Sequence, residues 1–589
     1  MKKLLSVLLS VLMVLSLAAC SNKSEGEGTD TETTTALAVC IASEPDTIDP
    51  ALNSSVDGAT LIAHLFQGLA KWEEDANGNL VIAADAAEEL VEPVENADGS
   101  VTYTYTLREG LKWSDGQDVK ASDYTFAWQR AVDPETAADY GYMFEVVDGY
   151  EDGQLNIQAD DDARTITVTL PVYVAYWNEL LAFPTFFPVR SDVVANEAWA
   201  TEPSTFVCNG PYYIAEWSHS SLICLKKNEN FIDADQITMP EIDFYLSDDA
   251  NTMLANFQNG EWLMIDDVPT EEIATLKTQY PDEFVVAGQI GTYYVIFNVN
   301  QNLSGATALT EAEEAEVRNA IALMFDRNYI VEEIGQAGQV PASSFVAMGM
   351  TNADGTQFYQ TAGHNDGFYG YYNVDASAFE ANVASAVETL KKYYTFDETS
   401  GQFTDFPVMT YLYNTSEGHK KIGEYLQSAL AAYGITMNLE NQEWNTFLNT
   451  RKNGDYSIAR NGWLADYNDP ICFLDMWTTN SGNNDAQLGR AEHATEAIYN
   501  LDLTALGYDV KVENGTWAET YDVLIGLIKT CKDMTVRSEL MHIAEDQLMS
   551  TGCIIPLYFY TDIYMISNKV DGFFSNPLGY KYFMYTSIK

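Results

Sequence analysis

The chain has 589 residues, too many for a single hydrophobic core, so two or more lobes are expected. Apolar residues make up 47% and aromatic residues 12%, which excludes an intrinsically disordered protein. With 30 Lys and Arg against 87 Asp and Glu, a formal charge of -57 repels nucleic acid and anionic headgroups, so nucleic-acid binding is set aside.

The N-terminus reads as an export signal. Lys2 and Lys3 precede an apolar run from Leu4 to Leu17, and Leu17-Ala18-Ala19-Cys20 closes it with small residues directly before a cysteine. This pattern resembles a bacterial lipobox. It implies a lipoprotein signal peptide over 1-19 and a lipidated Cys20 as the mature terminus. The acidic, Gly/Ser/Thr-rich stretch 20-35 then serves as a flexible tether. A lipid anchor places the protein on the extracytoplasmic face of the cell membrane, and a single-membrane bacterium is expected. Of the later cysteines (Cys40, Cys208, Cys224, Cys472, Cys531, Cys553), none forms a CxxC pair or has metal-ligand spacing. No metal site is expected, and the spacing leaves disulfides or buried free thiols open.

From Ala36 the pattern predicts a strand, ending in the Pro-bounded turn Ser43 to Pro50. Gly58 to Leu69 has helical spacing, with His64 read as structural. Val101 to Leu107 alternates, predicting a half-buried strand, and Ala121 to Val132 reads as a helix with Ser122 as its cap. Val317 to Ile334 reads as one long helix, and Asp326 beside Arg327 as a surface or capping pair. A later amphipathic helix carries Ile422, Leu426, Ala429, Leu430 and Tyr433 on one face, with Gly434 ending it. Val536 to Met549 is helical, and Ile554 to Tyr560 reads as a buried strand returning to the first lobe. The turn signals Gly507-Tyr508 and Asn514-Gly515 suggest a surface insertion near 485-520.

Between Gln442 and Pro470 lie two arginines, Arg451 and Arg460, two tryptophans, Trp444 and Trp463, and the turn-flanked Asp466, in a chain otherwise poor in positive charge. A carboxylate and guanidiniums held near each other take opposite ends of a zwitterion, and an aromatic wall strengthens each contact by excluding water. The competing reading makes Asp466 a turn aspartate and the tryptophans core. There is no HExxH, GxSxG or GxxxxGK[ST] motif, so neither an enzyme nor an ATPase is indicated.

Several blocks, in order, resemble the extracellular solute-binding proteins (family 5) of peptide ABC importers. They are Tyr103 to Pro134; Phe183-Pro184 to Pro188; Asn209-Gly210-Pro211-Tyr212 to Trp217; Phe257 to Glu261; Thr292 to Asn298; Val317 to Arg327; and, most strongly, Tyr411 to Lys421 and Leu439 to Pro470. The last run is similar to the oligopeptide-binding branch. The resemblance implies an α/β, two-lobed periplasmic-binding-protein-like fold with mixed sheets and two crossing inter-lobe strands. Lobe I would comprise 36-57, 187-290 and 560-589, with an extra subdomain at 58-186, and lobe II would comprise 291-559. It further implies a monomer without cofactor that captures an oligopeptide in the inter-lobe cleft and hands it to a separate permease and its ATPase. Carried over by resemblance, Asp466 receives the peptide ammonium, and Arg460, Arg451 and His419 meet the carboxylate. Gly462, Trp463, Leu464, Trp444, Tyr294, Ser43 and Glu44 supply backbone and pocket contacts, while Arg318 and Arg327 stay structural. A non-peptide solute on the same fold, or a peptide-sensing or adhesion lipoprotein uncoupled from uptake, remains open.

Overall fold

Two long antiparallel strands, Phe284–Phe297 and Ile554–Ile566, organise the molecule. Both are rich in the β-branched and aromatic residues that suit a pleated, two-sided environment. In this computed structural model, residues 36-75, 80-365 and 367-589 are described. The expected signal peptide, Cys20 and the tether lie outside them.

One mixed sheet passes through both long strands. Its spatial order is Met437–Gln442, Met409–Asn414, Ile458–Leu464, Phe284–Phe297, Ile554–Ile566, Met264–Ile265, Ala36–Ala42, Glu241–Leu246, Leu222–Lys227 and Tyr212–Ser218. The ladder between the long strands runs from Phe284 to Gly288, shifts register, and resumes at Thr292. One end of the pair therefore belongs to the sheet built on Ala36–Ala42, and the other to the sheet built on Ile458–Leu464. This is the two-lobed α/β architecture with mixed sheets that the resemblance implied. At the break only glycine fits position 291, where a Cβ would lie 2.3 Å from the Leu464 side chain and 2.7 Å from the Trp463 carbonyl.

The alternating strand Val101–Thr106 joins a separate four-stranded sheet. Its Tyr103 and Tyr105 turn inward onto a cluster with Trp177, Trp128 and Phe186. The helix Ala121–Ala131 forms, but Ser122 is not its cap. Asp123 accepts from the Lys120 N–H at 2.9 Å instead, and the Ser122 hydroxyl donates to Asp161 at 2.9 Å. The helix Val56–Leu65 starts at Ser55, whose hydroxyl accepts from Gly58 N–H. Near its end His64 is fully buried. Its Nδ1 lies 2.7 Å from the Thr60 carbonyl and its Nε2 accepts from Phe583 N–H at 3.1 Å, so it is a neutral structural histidine.

The single helix expected over Val317 to Ile334 is broken. Glu311–Ala322 ends, and Asp326 starts a new turn by accepting from the N–H groups of Asn328 and Tyr329. Arg327 makes no surface pair with it, but turns inward and donates to the carbonyls of Pro556 at 2.8 Å and Ala322 at 3.0 Å. Buried Arg318 pairs with Glu311 and donates to the Thr551 carbonyl. The stretch 485-520 is also not a superficial insertion. Ala486, Leu488 and Trp517 are fully buried, and Trp517 stacks on Tyr521 and donates to the Trp477 carbonyl at 2.9 Å. Within the stretch, 491-497 and the hairpin turn around 504-514 are mostly exposed. Buried Ala486 and Leu488 at one end and Trp517 at the other fold it into the second half. All six described cysteines are free, five of them buried.

Candidate binding cleft

Two adjoining cavities of about 400 and 390 Å³ lie where the long strands pass between the halves. They share Asp57, Trp444, Arg460 and Tyr560 in their walls, so they form one elongated cleft. That volume falls in the range of small-ligand sites.

One wall is the strand Ile458–Leu464. It pairs with Phe284–Phe297 along its whole length, but with Met409–Asn414 only at Ile458 and Ala459. The far edge of Gly462 to Leu464 is thus outside any ladder, the arrangement that lets an extended ligand add as a strand. The Gly462 N–H itself is taken locally by Asn461 Oδ1 at 2.8 Å. Glycine at 462 makes room for Tyr560, whose hydroxyl would sit 2.2 Å from a Cβ there. Ile41 and Ala42 line the first cavity, and they continue with Ser43 into the second. Glu44, expected beside them, is turned away. Its carboxylate accepts from Trp217 Nε1 at 2.5 Å and Ser220 N–H at 2.8 Å, and lies 2.6 Å from His219.

Asp466 follows the strand at one end of the first cavity. Its Oδ1 accepts from the Tyr140 hydroxyl at 3.2 Å, while its Oδ2 is shielded from solvent and has no hydrogen-bond partner. Burial first, then the like charge of Asp475, holds its carboxyl well above the usual carboxylate range. Trp463 packs beside it against Tyr140 and donates from Nε1 to the Cys472 carbonyl.

Arg460 lies at the junction of the two cavities. Its guanidinium is 5.4 Å from the Tyr293 ring, its Nε has no partner, and no carboxylate ion-pairs with it among the described residues. Arg451 is placed differently. Its Nε is 2.7 Å from Asp485 Oδ2, an ion contact whose angle is too poor for a hydrogen bond. Sequence spacing gives no hint of this partner. His419 lines the second cavity, with Nδ1 3.2 Å from the Tyr293 hydroxyl. Burial and the nearby Arg460 hold its imidazole well below the ordinary range, so it offers a hydrogen bond but no charge. Trp444, first residue of the helix Trp444–Lys452, stacks on Phe447 and faces both cavities.

Tyr294 does not supply a cleft contact. It is fully covered and packs on Phe345 and Trp477, whereas its neighbour Tyr293 meets His419 and Arg460. Successive strand residues face opposite sides, so a one-residue choice decides this. Missed altogether were Tyr140, Tyr560, Asp57 and Lys452, which line the first cavity, and the ion pair of Lys452 with Asp139. Nothing local in the sequence marks these residues, because their partners lie hundreds of positions away.

A family model described as "Bacterial extracellular solute-binding proteins, family 5 Middle" matches residues 85-485. The oligopeptide-binding protein OppA of Bacillus subtilis is 30% identical over 559 residues, covering 92% of this chain and 91% of its own. The dipeptide-binding protein DppE of the same organism is 29% identical, covering 91% and 89%. Among solved structures, Haemophilus influenzae OppA in complex with RPPGFSPFR superposes with a TM-score of 0.77 at 24% identity, covering 95% of this chain and 99% of that one.

Proposed function

We propose, from the premise that this chain belongs to the bacterial extracellular solute-binding proteins of family 5, that it captures oligopeptides in the cleft and delivers them to an ABC permease. The family binds solutes and is not enzymatic. One observation carries the peptide reading. The cleft holds an unmatched carboxylate oxygen on Asp466 and, on Arg460, a guanidinium with an unpartnered Nε and no carboxylate among the described residues, which together complement a free peptide. The six-residue step from Arg460 to Asp466 spans up to about 20 Å of strand, so the ligand is longer than a dipeptide.

In this reading Asp466 receives the α-ammonium, and Arg460, with neutral His419 beside it, receives the carboxylate. Arg451 is already engaged by Asp485 and is a secondary partner. The edge of Gly462 to Leu464 and the backbone near Ala42 and Ser43 hold the peptide main chain, while Trp444 and Trp463 wall its side chains. Closing the walls around ligand presents the permease with a surface that the open form lacks. A lipid on Cys20 would tether the monomer to the outer face of a single-membrane cell. Among the described residues no helix is long and apolar enough to cross a membrane.

The test is calorimetric titration of ligand-stripped protein with a pool of three- to six-residue peptides, beside the same pool N-acetylated. Binding that acetylation and Asp466→Asn both abolish supports this assignment. Equal binding of the two pools removes Asp466 from the ammonium role, and no binding to either directs the search to a non-peptide solute.

A further inference from the structure

Charge matching inside the cleft leaves its carboxylates in excess of its cations. Lys581 lies 2.8 Å from Asp266 and 3.2 Å from Asp562, Arg451 is held by Asp485, and Lys452 by Asp139. A peptide's two termini occupy Asp466 and Arg460. Asp57 and Asp267 have no cation among the described residues. Asp267 lines only the second cavity and accepts from Val268 N–H at 2.8 Å, whereas Asp57 lines both, and no described donor reaches its Oδ2, which is shielded from solvent. Burial pushes the Asp57 carboxyl up to about 6. It stands in the first turn of the helix Val56–Leu65, where the backbone supplies roughly half a unit of positive charge, less than a carboxylate needs.

We propose that Asp57 forms a side-chain subsite that takes the ammonium or guanidinium of a basic residue in the bound peptide. This rests on the peptide reading above and narrows it to a substrate class, peptides with a Lys or Arg beyond the first residue. The first residue is set aside because Asp57, like Arg460, sits where the two cavities meet, whereas Asp466, at the ammonium end, lines only the first. A cation brought by the ligand supplies the ionic partner that Asp57 otherwise lacks, in a site where water competes poorly.

The experiment titrates the purified protein with alanine tetra- and pentapeptides carrying Lys, norleucine or Glu at each position after the first in turn. The expected result is one position where Lys binds at least tenfold tighter than norleucine, and Glu weaker than both. Asp57→Asn should reduce the Lys advantage to about twofold while leaving the norleucine peptide's affinity nearly unchanged. Asp57→Ser, which keeps an acceptor in the first helical turn, provides the same comparison if the asparagine variant misfolds. A purely structural role for Asp57 would not change the Lys/norleucine ratio. Equal affinity for Lys and norleucine at every position overturns the subsite but leaves peptide binding standing, and a Lys advantage that survives in both folded variants also overturns it. Failure of every peptide to bind removes the peptide reading and the subsite together.

Discussion

Asp466 and Asp469 stand three residues apart, and each is a carboxylate largely withdrawn from water, yet they belong to opposite kinds of region. Behind the cleft, Asp469 accepts from both guanidinium ends of Arg537, at 2.7 and 3.0 Å, and also from Ile471 N–H. Facing the cleft, Asp466 has one tyrosine hydroxyl and an oxygen with nothing. The arginines divide the same way: Arg318 is fully buried with Glu311 and a carbonyl, while Arg460 has only aromatic neighbours. The frame completes its own charges, and the cleft leaves its charges for something else to complete. Local rules that hold elsewhere and lapse together in one place mark a functional site.

The contrast can be broken from either side. Removing one partner from the frame has the largest expected effect. Arg537→Met leaves Asp469 buried without its cation and should lower stability by about 3–5 kcal/mol, read by urea unfolding, while the folded fraction keeps its peptide affinity. A loss under about 1 kcal/mol would erase the distinction. Glu545, like Arg327, is an exception within the frame: it accepts from Phe345 and Val346 N–H, yet its other oxygen has no partner and no cation pairs with it among the described residues. Burial pushes its carboxyl from 4.5 up to about 8. The folded protein therefore binds a proton that the unfolded chain releases. Its stabilising contribution is complete below about pH 4.5 and is lost as pH rises through about 8. Glu545→Gln should flatten the fall in melting temperature across that window, a difference of a few kcal/mol at the alkaline end.

On the cleft side the effects fall on binding. Asp466→Asn should weaken peptide affinity about 100-fold, or about 2.7 kcal/mol, with stability unchanged or raised. Because an arriving ammonium draws the raised Asp466 carboxyl into its ionised form, complex formation should also release protons. Calorimetry in buffers of different ionisation enthalpy would show this, and the signal should vanish in the asparagine variant. The smallest effect is expected at Lys452→Met. It removes the pair with Asp139 and the bond to Ser54 across the cleft, and should raise the peptide dissociation rate about fivefold. An unchanged rate would show that ligand alone holds the walls together.

Where periodic spacing ran without a cap inside it, the fold was legible. Val101 to Leu107 alternates and is a strand, and Ile422, Leu426 and Leu430 repeat at helical spacing and face the core of Glu417–Ala431. The break at Asp326 was misread because apolar spacing continues across it, while the capping aspartate that restarts the chain looked like half of an ion pair. In the cleft, the run around Asp466 was visible because its charged and aromatic residues are neighbours in sequence. Tyr294 was misplaced by one residue of strand alternation, and Glu44 by the β-hairpin of Tyr212–Ser218 and Leu222–Lys227 that captures it. Arg451 was seen without its partner. Asp485 is 34 positions away, inside a stretch that turn signals made look superficial, and pairings of that kind are decided by packing rather than by local pattern.

The register shift between Gly288 and Thr292 bears on how this chain tolerates being cut. The long strand that contains it, Phe284–Phe297, and the long strand near the C-terminus, Ile554–Ile566, each thread both halves of the sheet. A nick anywhere between residues 300 and 550 would therefore yield two fragments, each carrying one of the two central rows. Neither would own a finished sheet, and each would be the template on which the other folds. The molecule is in this sense a ready-made split reporter, whose fragments should regain function only as a reunited pair.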